Sequence, residues 1–190
     1  MNSRTPLILA SRSPRRQHLL ETAGFRFEVR IRETDEAFPD DLPAAAVAEY
    51  LARKKSAAFT DDELGGALLI TADTVVVLDG TVLNKPLDRE DAVQMLQALA
   101  GRAHEVYTGV CLRQGAKVEG FTDRTVVHFV PLDDAEIAYY LENFMPYDKA
   151  GAYGAQDWLG MVGIEKLEGS YFTVMGLPVH LVYQSLKSWQ

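Results

Sequence analysis

The alternation of apolar and polar positions along the chain switches repeatedly between strand-like and helix-like periods. Leu7 to Ala10 is a short apolar run that reads as a buried strand. Ser13 suits an N-cap, Pro14 the first helical position and Gly24 the residue just past the end, so a helix is predicted between them. From Phe25 to Arg32, Phe25, Phe27, Val29 and Ile31 alternate with Arg26, Glu28, Arg30 and Arg32, as in a half-buried strand. A helix is predicted from about Pro43 to Phe59, with Val47, Tyr50, Leu51, Lys54 and Lys55 at helical spacing, and a loop from Asp61 to Gly66. Ala67 to Leu78 is the most apolar segment. Its β-branched content and flanking glycines favour a strand, turned by Asp79-Gly80 into Thr81 to Leu83. A helix from the N-cap Asp88 to Ala100 follows, ending at Gly101. Val106 to Leu112 and Lys117 to Val130 read as strands around Gln114-Gly115. Asp133 with Glu136 opens a helix reaching about Asn143. Met161 to Lys166 and Tyr171 to Val174 suggest a hairpin through Glu168-Gly169, and Leu177 to Trp189 a closing helix with Pro178 in its first turn.

Helices interleave with strands, so the predicted class is α/β with a mixed sheet. The 190 residues suffice for one domain or two small lobes, and no repeat or linker-like segment interrupts them. Hydrophobic content of 47% is ordinary for a folded soluble protein. No apolar run approaches the roughly 20 residues that span a bilayer. Met1 to Pro6 lacks the long apolar stretch of a signal peptide. Cys111 is the one cysteine, which excludes an internal disulfide and makes a reducing cytoplasm the simplest home. The net charge of −8 argues against nucleic-acid polymers and anionic membranes as partners. A small polyanion remains possible where basic side chains gather locally.

Such a gathering is predicted at the first strand–helix junction. Backbone N–H groups, the positive end of the helix dipole and the side chains of Ser11, Ser13, Arg15 and Arg16 converge there on a site for a phosphate-rich anion. Lys55 and Lys85 extend the basic set. Glu33, Asp35, Glu36 and Asp73 form an acidic set, and Asp148 to Gln156 is a glycine-rich polar loop. A charge such as Asp73 inside an apolar strand is costly unless paired, metal-bound or at a break in the sheet. A triphosphate carries about four negative charges, and each cation at ~4 Å contributes up to ~4 kcal/mol before desolvation. Carboxylates beside that cluster would repel the ligand unless a divalent cation bridged them. Mg²⁺ uses one or two carboxylates plus phosphate oxygens, which suits Glu36 and Asp73. A remaining carboxylate can orient or deprotonate an attacking water. His18, His104, His128 and His180 show no metal-like spacing, and Cys111 reads as core.

Taken in order, Ser11-Arg-Ser-Pro-Arg-Arg16, Asp35-Glu36, Ala72-Asp-Thr-Val-Val76, Lys85-Pro86, Tyr107-Thr-Gly-Val110, Asp148-Lys-Ala-Gly-Ala-Tyr-Gly154 with Gln156, and Met175-Gly-Leu-Pro178 resemble the signature blocks of the Maf family. These are nucleoside triphosphate pyrophosphatases, also labelled septum formation inhibitors. The resemblance implies a single domain over 1–190. It also implies a mixed, twisted sheet flanked by helices, shared with the inosine triphosphatase group, with two lobes and a cleft. It implies hydrolysis between the α- and β-phosphates, with Mg²⁺ or Mn²⁺ and a homodimer. The family's proton acceptor falls on Asp73 and its conserved glutamate on Glu36. Its phosphate-binding positions fall on Ser11, Arg16, Lys55 and Lys85. At the three subtype positions the chain has Arg15, Thr74 and Gln156, as in the branch acting on dTTP and UTP. The 7-methyl-GTP branch has tryptophan, glutamine and glutamate there. Arg12 departs from the usual small or neutral residue of the first block. Two rival readings are a hydrolase of modified purine triphosphates and a non-catalytic nucleotide-binding regulator of septum formation.

Overall fold

The computed structural model describes residues 5–189, so most of the Met1–Pro6 stretch lies outside the described residues. The first strand is β1 (Leu7–Leu9), buried throughout. Ser13 Oγ accepts from the Arg16 N–H, and Pro14 opens α1 (Pro14–Thr22) as predicted. Gly24, at φ 84°, takes the left-handed conformation that lets the chain reverse.

The strand predicted from Phe25 to Arg32 shrinks to β2 (Glu28–Val29), and both of its residues are exposed. At the sheet edge beside β1 it has one neighbour only, so its pairing ends after two residues. Phe25 instead is buried and packs edge-on against Tyr183, while Ile31 is 53% exposed. Arg30 to Pro39 has no regular secondary structure.

The next helix is α2 (Ala44–Ala57), close to its predicted span. Where a loop is expected at Asp61–Gly66, the chain forms a short helix, α3 (Asp61–Leu64). The missed signal is a reciprocal capping box. Thr60 accepts from the Glu63 N–H, and the Glu63 carboxylate accepts from the Thr60 N–H at 2.8 Å. Those bonds to Thr60 and the ion pair with Arg32 hold the Glu63 carboxyl down at about 2.

Strands β3 (Leu68–Leu78) and β4 (Thr81–Leu83) form the expected hairpin. Asp88 caps α4 (Arg89–Leu99), and β5 (Ala103–Gln114) and β6 (Lys117–Phe129) follow. The Asp133–Glu136 capping box opens α5 (Asp134–Phe144). The hairpin expected over Met161–Val174 is absent. The chain there makes α6 (Trp158–Gly163), β7 (Ile164–Glu168) and α7 (Tyr171–Met175). Strand β7 pairs with β6, and Gly169 at φ 133° then turns the chain away. Thr125 Oγ1 donates to the Ser170 carbonyl at 3.0 Å, fixing that turn. The closing helix, α8 (Val179–Ser188), begins behind Pro178 as predicted.

The seven strands form one mixed sheet in the order β2-β1-β3-β5-β6-β7, with β4 paired to β3. β1 is parallel to β2 and β3, whereas β3–β4 and β6–β7 are antiparallel. The chain packs as two compact units. The first holds residues up to Asp73, Thr108–Asp123 and Gly176 onward; the second holds Thr74–Tyr107 and Arg124–Met175. The first buries Ile8, Phe59, Leu64, Ala67 and Leu69 as one cluster. The second buries Leu96, Leu99, Val106, Phe129, Ile137, Tyr140 and Tyr153, among others.

Candidate active site

In the first unit, the β1–α1 junction folds around its own serines. Ser11 is buried, and its Oγ accepts from the Ser13 N–H at 3.1 Å. Gln17 Nε2 donates to the Ser11 carbonyl at 3.2 Å. Arg16 leaves the first turn of α1 with Nε 2.7 Å from the Gly176 carbonyl and Nη1 2.8 Å from the Ala72 carbonyl. Two segments distant in sequence therefore fix the plane of this guanidinium. Burial lowers the Arg16 pKa, and the Arg15 charge lowers it further; the Asp73 and Glu36 carboxylates oppose both. Arg16 thus belongs to one electrostatic cluster with Arg15, Glu36 and Asp73.

Asp73 sits where β3 passes through the cluster, and the strand continues unbroken on both sides of it. Pairing answers the cost of burying it. Lys55 Nζ, from the last turn of α2, donates to Asp73 Oδ1 at 2.9 Å, and the Lys55 and Asp73 side chains are 19% and 13% exposed. The same ammonium donates to Glu36 Oε1 at 3.2 Å. One lysine therefore draws together a carboxylate from a core strand and one from the irregular Arg30–Pro39 segment.

The position of Lys55 depends on how α2 rests on the sheet. Gly109 lies so close to α2 that a Cβ there would stand 2.2 Å from the Glu49 nitrogen and 2.3 Å from the Ala48 carbonyl carbon. Only a glycine allows that approach. Thr71 Oγ1 donates to the Ala52 carbonyl at 2.7 Å, tying the middle of α2 to β3. Neither residue stood out chemically in the sequence. Gly109 lay within a recognised block, but its purpose is visible only once helix and strand are superposed.

Among the expected site residues, Ser11, Ser13, Arg15, Arg16, Glu36, Lys55 and Asp73 belong to the first unit, and Thr74, Lys85 and Gln156 to the second. Thr74 and Gln156 are half-buried and Lys85 is exposed. Within the second unit, the Gly151 N–H donates to the Asn84 carbonyl at 3.1 Å, joining the Asp148–Gln156 loop to the segment carrying Lys85. Ala152, fully buried at φ 59°, holds a left-handed conformation that costs a non-glycine residue about 1 kcal/mol or more. Tyr140 on α5 stabilises this loop. Its hydroxyl donates to Asp157 Oδ2 at 3.0 Å and accepts from the Gly154 N–H at 3.0 Å. Burial raises the Tyr140 pKa, which keeps that hydroxyl a donor.

Arg12, the departure in the first block, donates to Glu33 Oε1 at 2.7 Å in an exposed pair. The acidic set therefore divides. Glu33 and Asp35 pair with Arg12 and Lys54, while Glu36 and Asp73 share Lys55.

A model of the Maf-like protein family matches residues 6–189. The chain belongs to that family. It is 47% identical over 186 residues to a dTTP/UTP pyrophosphatase of Porphyromonas gingivalis, covering 96% of this chain and 94% of the relative. A dTTP/UTP pyrophosphatase of Bacteroides thetaiotaomicron is 46% identical over 182 residues, covering 95% and 94% of the two chains. A third, of Flavobacterium psychrophilum, is 47% identical over 179 residues, covering 94% and 92%. The Maf-like blocks are thus placed in a fold of the expected class; Lys55 pairs with Glu36 and Asp73, and the charge of both carboxylates acts on Arg16.

Among the described residues, no group of three or more histidine, cysteine, aspartate or glutamate side chains could hold a metal ion. The donor set on hand is Glu36 and Asp73, two hard oxygen ligands meeting at the Lys55 ammonium. That set fits Mg²⁺, which takes one or two protein carboxylates and completes its shell with phosphate and water. It does not fit zinc or a softer metal.

Proposed function

We propose that this chain hydrolyses dTTP and UTP to the monophosphate and pyrophosphate, with its chemistry centred on the Arg16–Lys55–Glu36–Asp73 cluster. The observation that carries this reading is the shared ammonium. Lys55 holds together two carboxylates whose charge also acts on Arg16, which is useful for hydrolysis and unhelpful for mere binding of a polyanion. Ser11, Ser13, Arg15, Arg16, Lys55 and Lys85 bind the triphosphate. Arg15, Thr74 and Gln156 read the base, the glutamine amide accepting from a pyrimidine N3–H and donating to a neighbouring carbonyl.

Glu36 and Asp73 would hold a divalent cation, Mg²⁺ or Mn²⁺, which when bound neutralises phosphate charge and allows the carboxylates to sit beside it. Asp73 accepts a proton from the attacking water as the α–β anhydride is cleaved and pyrophosphate departs with the bridging oxygen. Arg16 and Lys55 stabilise the negative charge that accumulates on that leaving group, and being fixed in advance they need no reorganisation. We further propose that residues 1–190 work as one domain, as a homodimer, in the cytoplasm. No helix among the described residues is long and apolar enough to cross a membrane.

The test is a panel of canonical and modified nucleoside triphosphates with Mg²⁺, resolving pyrophosphate from orthophosphate. Monophosphate plus pyrophosphate from dTTP and UTP, with little product from purines, is the expected result. Orthophosphate would mean another bond is cut. Binding without turnover across the panel would replace this reading with that of a nucleotide-binding regulator.

A further inference from the structure

The Glu36 carboxylate is carried by a segment with little else to fix it. Arg30 to Pro39 has no helix or strand, and Glu33, Asp35, Glu36 and Ala37 are all exposed. Apolar packing reaches the segment only through the half-buried Phe38, so it does not set the path at Glu36 itself. Charged bonds do. Arg30 Nη1 donates to the Glu63 carbonyl at 2.5 Å, Arg32 Nη1 to the Ala58 carbonyl at 2.6 Å, and Arg12 pairs with Glu33.

The tightest of these restraints surrounds Glu36 itself. Lys54 Nζ bonds to Asp35 Oδ1 and donates to the Ala37 carbonyl at 2.8 Å. Asp35 Oδ1 also accepts from the Ala37 N–H at 3.1 Å, closing a ring through both neighbours of Glu36. Lys54 and Lys55 are consecutive in the last turn of α2, about 100° apart around its axis. One turn of one helix thus grips the residues on either side of Glu36, the Asp35 carboxylate and the Ala37 carbonyl, with one lysine and the Glu36 side chain with the next. Gly109 and Thr71, by seating α2 on the sheet, set the positions of both lysines together.

We propose that Lys54 is a positioning residue for the metal-placing carboxylate Glu36: it touches neither substrate nor cation, and it sets the geometry of one ligand by clamping Asp35 and Ala37. This inference rests on the reading of Glu36 given above. Partners that orient ligating carboxylates typically contribute about 10- to 100-fold to metal affinity, and the exposure of this ring places Lys54 near the lower figure.

The test compares wild type with Lys54→Met, Asp35→Asn, the double variant and Lys54→Arg, using Mg²⁺ for turnover of dTTP and Mn²⁺ for binding. Mn²⁺ is titrated by electron paramagnetic resonance into each protein with an α,β-methylene dTTP analogue. Expected are an approximately tenfold rise in half-saturating Mg²⁺ and in the Mn²⁺ dissociation constant for either single variant. The double variant should show little further effect, and Lys54→Arg should restore most of the loss. Nucleotide affinity in EDTA should stay within about twofold of wild type, and amides of residues 34–38 should exchange faster. Unchanged metal titrations in Lys54→Met would overturn the proposal. So would an equal loss of nucleotide affinity in EDTA, which would make Lys54 a phosphate contact. A wild-type enzyme needing no divalent cation would instead sink the reading of Glu36, while the exchange data would still report whether Lys54 holds the segment.

Discussion

Asp73→Asn tests the centre of the reading, because it removes one charge and hardly changes volume. Asp73 is 13% exposed at its side chain and receives one bond from Lys55. The amide oxygen can still accept that bond, and Lys55 keeps Glu36, so the fold should lose only about 1 kcal/mol, a shift of roughly 2–4 °C in Tm. Turnover should suffer far more. A positioned general base is worth about 10²–10⁴-fold, so kcat for dTTP should drop by that factor, or about 3–5 kcal/mol of barrier. Binding without metal should move the other way. A carboxylate about 4–6 Å from a phosphate repels it by about 3–4 kcal/mol at an effective dielectric near 20, before solvent screening. Lys55, no longer neutralised by Asp73, also becomes available to the phosphates. Calorimetric titration in EDTA should therefore show nucleotide binding about three- to thirtyfold tighter than wild type. A variant with kcat within about threefold of wild type, or with weaker metal-free binding, would refute the role given to Asp73.

Three further outcomes follow from local geometry. Gly109→Ala forces a Cβ into the α2 backbone, so thermal melts should show a loss of about 1–3 kcal/mol or more, with kcat falling as Lys55 moves; an unaltered enzyme would mean α2 is not seated there. Tyr140→Phe strips the Gly154 N–H and Asp157 of their shared partner, which for a buried donor costs about 1–3 kcal/mol, and the disordered loop should reduce discrimination between dTTP and CTP; a stability loss with selectivity intact would separate the loop from base reading. His104, 2% exposed with Nδ1 buried and unpartnered and Nε2 2.7 Å from the Tyr153 hydroxyl, has its pKa pushed down to about 4 by burial. The folded state thus binds fewer protons than the unfolded one between about pH 4 and 6.5. His104 therefore contributes stability above pH 6.5 that is progressively lost as pH falls toward 4, on the order of 3 kcal/mol. Urea midpoints of His104→Gln should fall less steeply over that range than those of wild type, and parallel slopes would exclude the effect.

The sequence by itself determined the elements whose causes are local. Ser13-Pro14, Asp88 and the Asp133–Glu136 box specify helix starts through bonds spanning three residues, and Asp79-Gly80 specifies a turn through its own backbone. It also marked Asp73 as a charge in an apolar strand that had to be paired, metal-bound or at a break in the sheet, and the structure supplies the pairing. The ordered blocks carried the family, and they named the residues on which the proposed site rests. Local pattern failed where burial depends on what lies across the sheet. Phe25–Arg32 alternates like a strand, but only Glu28–Val29 pairs, at the sheet edge; Phe25 is buried against Tyr183, Val29 and Ile31 meet solvent, and the arginines bond to Glu28, Ala58 and Glu63. The hairpin expected near Gly169 failed because pairing with β6 competes with pairing inside the segment, and Thr125 pulls Ser170 into a turn. Which lysine meets which carboxylate was likewise decided only in three dimensions. Lys54 and Lys55 are adjacent in the chain and identical in chemistry, yet the 100° step of the helix sends one to Asp35 and the other to Glu36 and Asp73. Long-range pairing of charges depends on the seating of α2 against β3 and β5, and no residue within hydrogen-bonding distance along the chain records it.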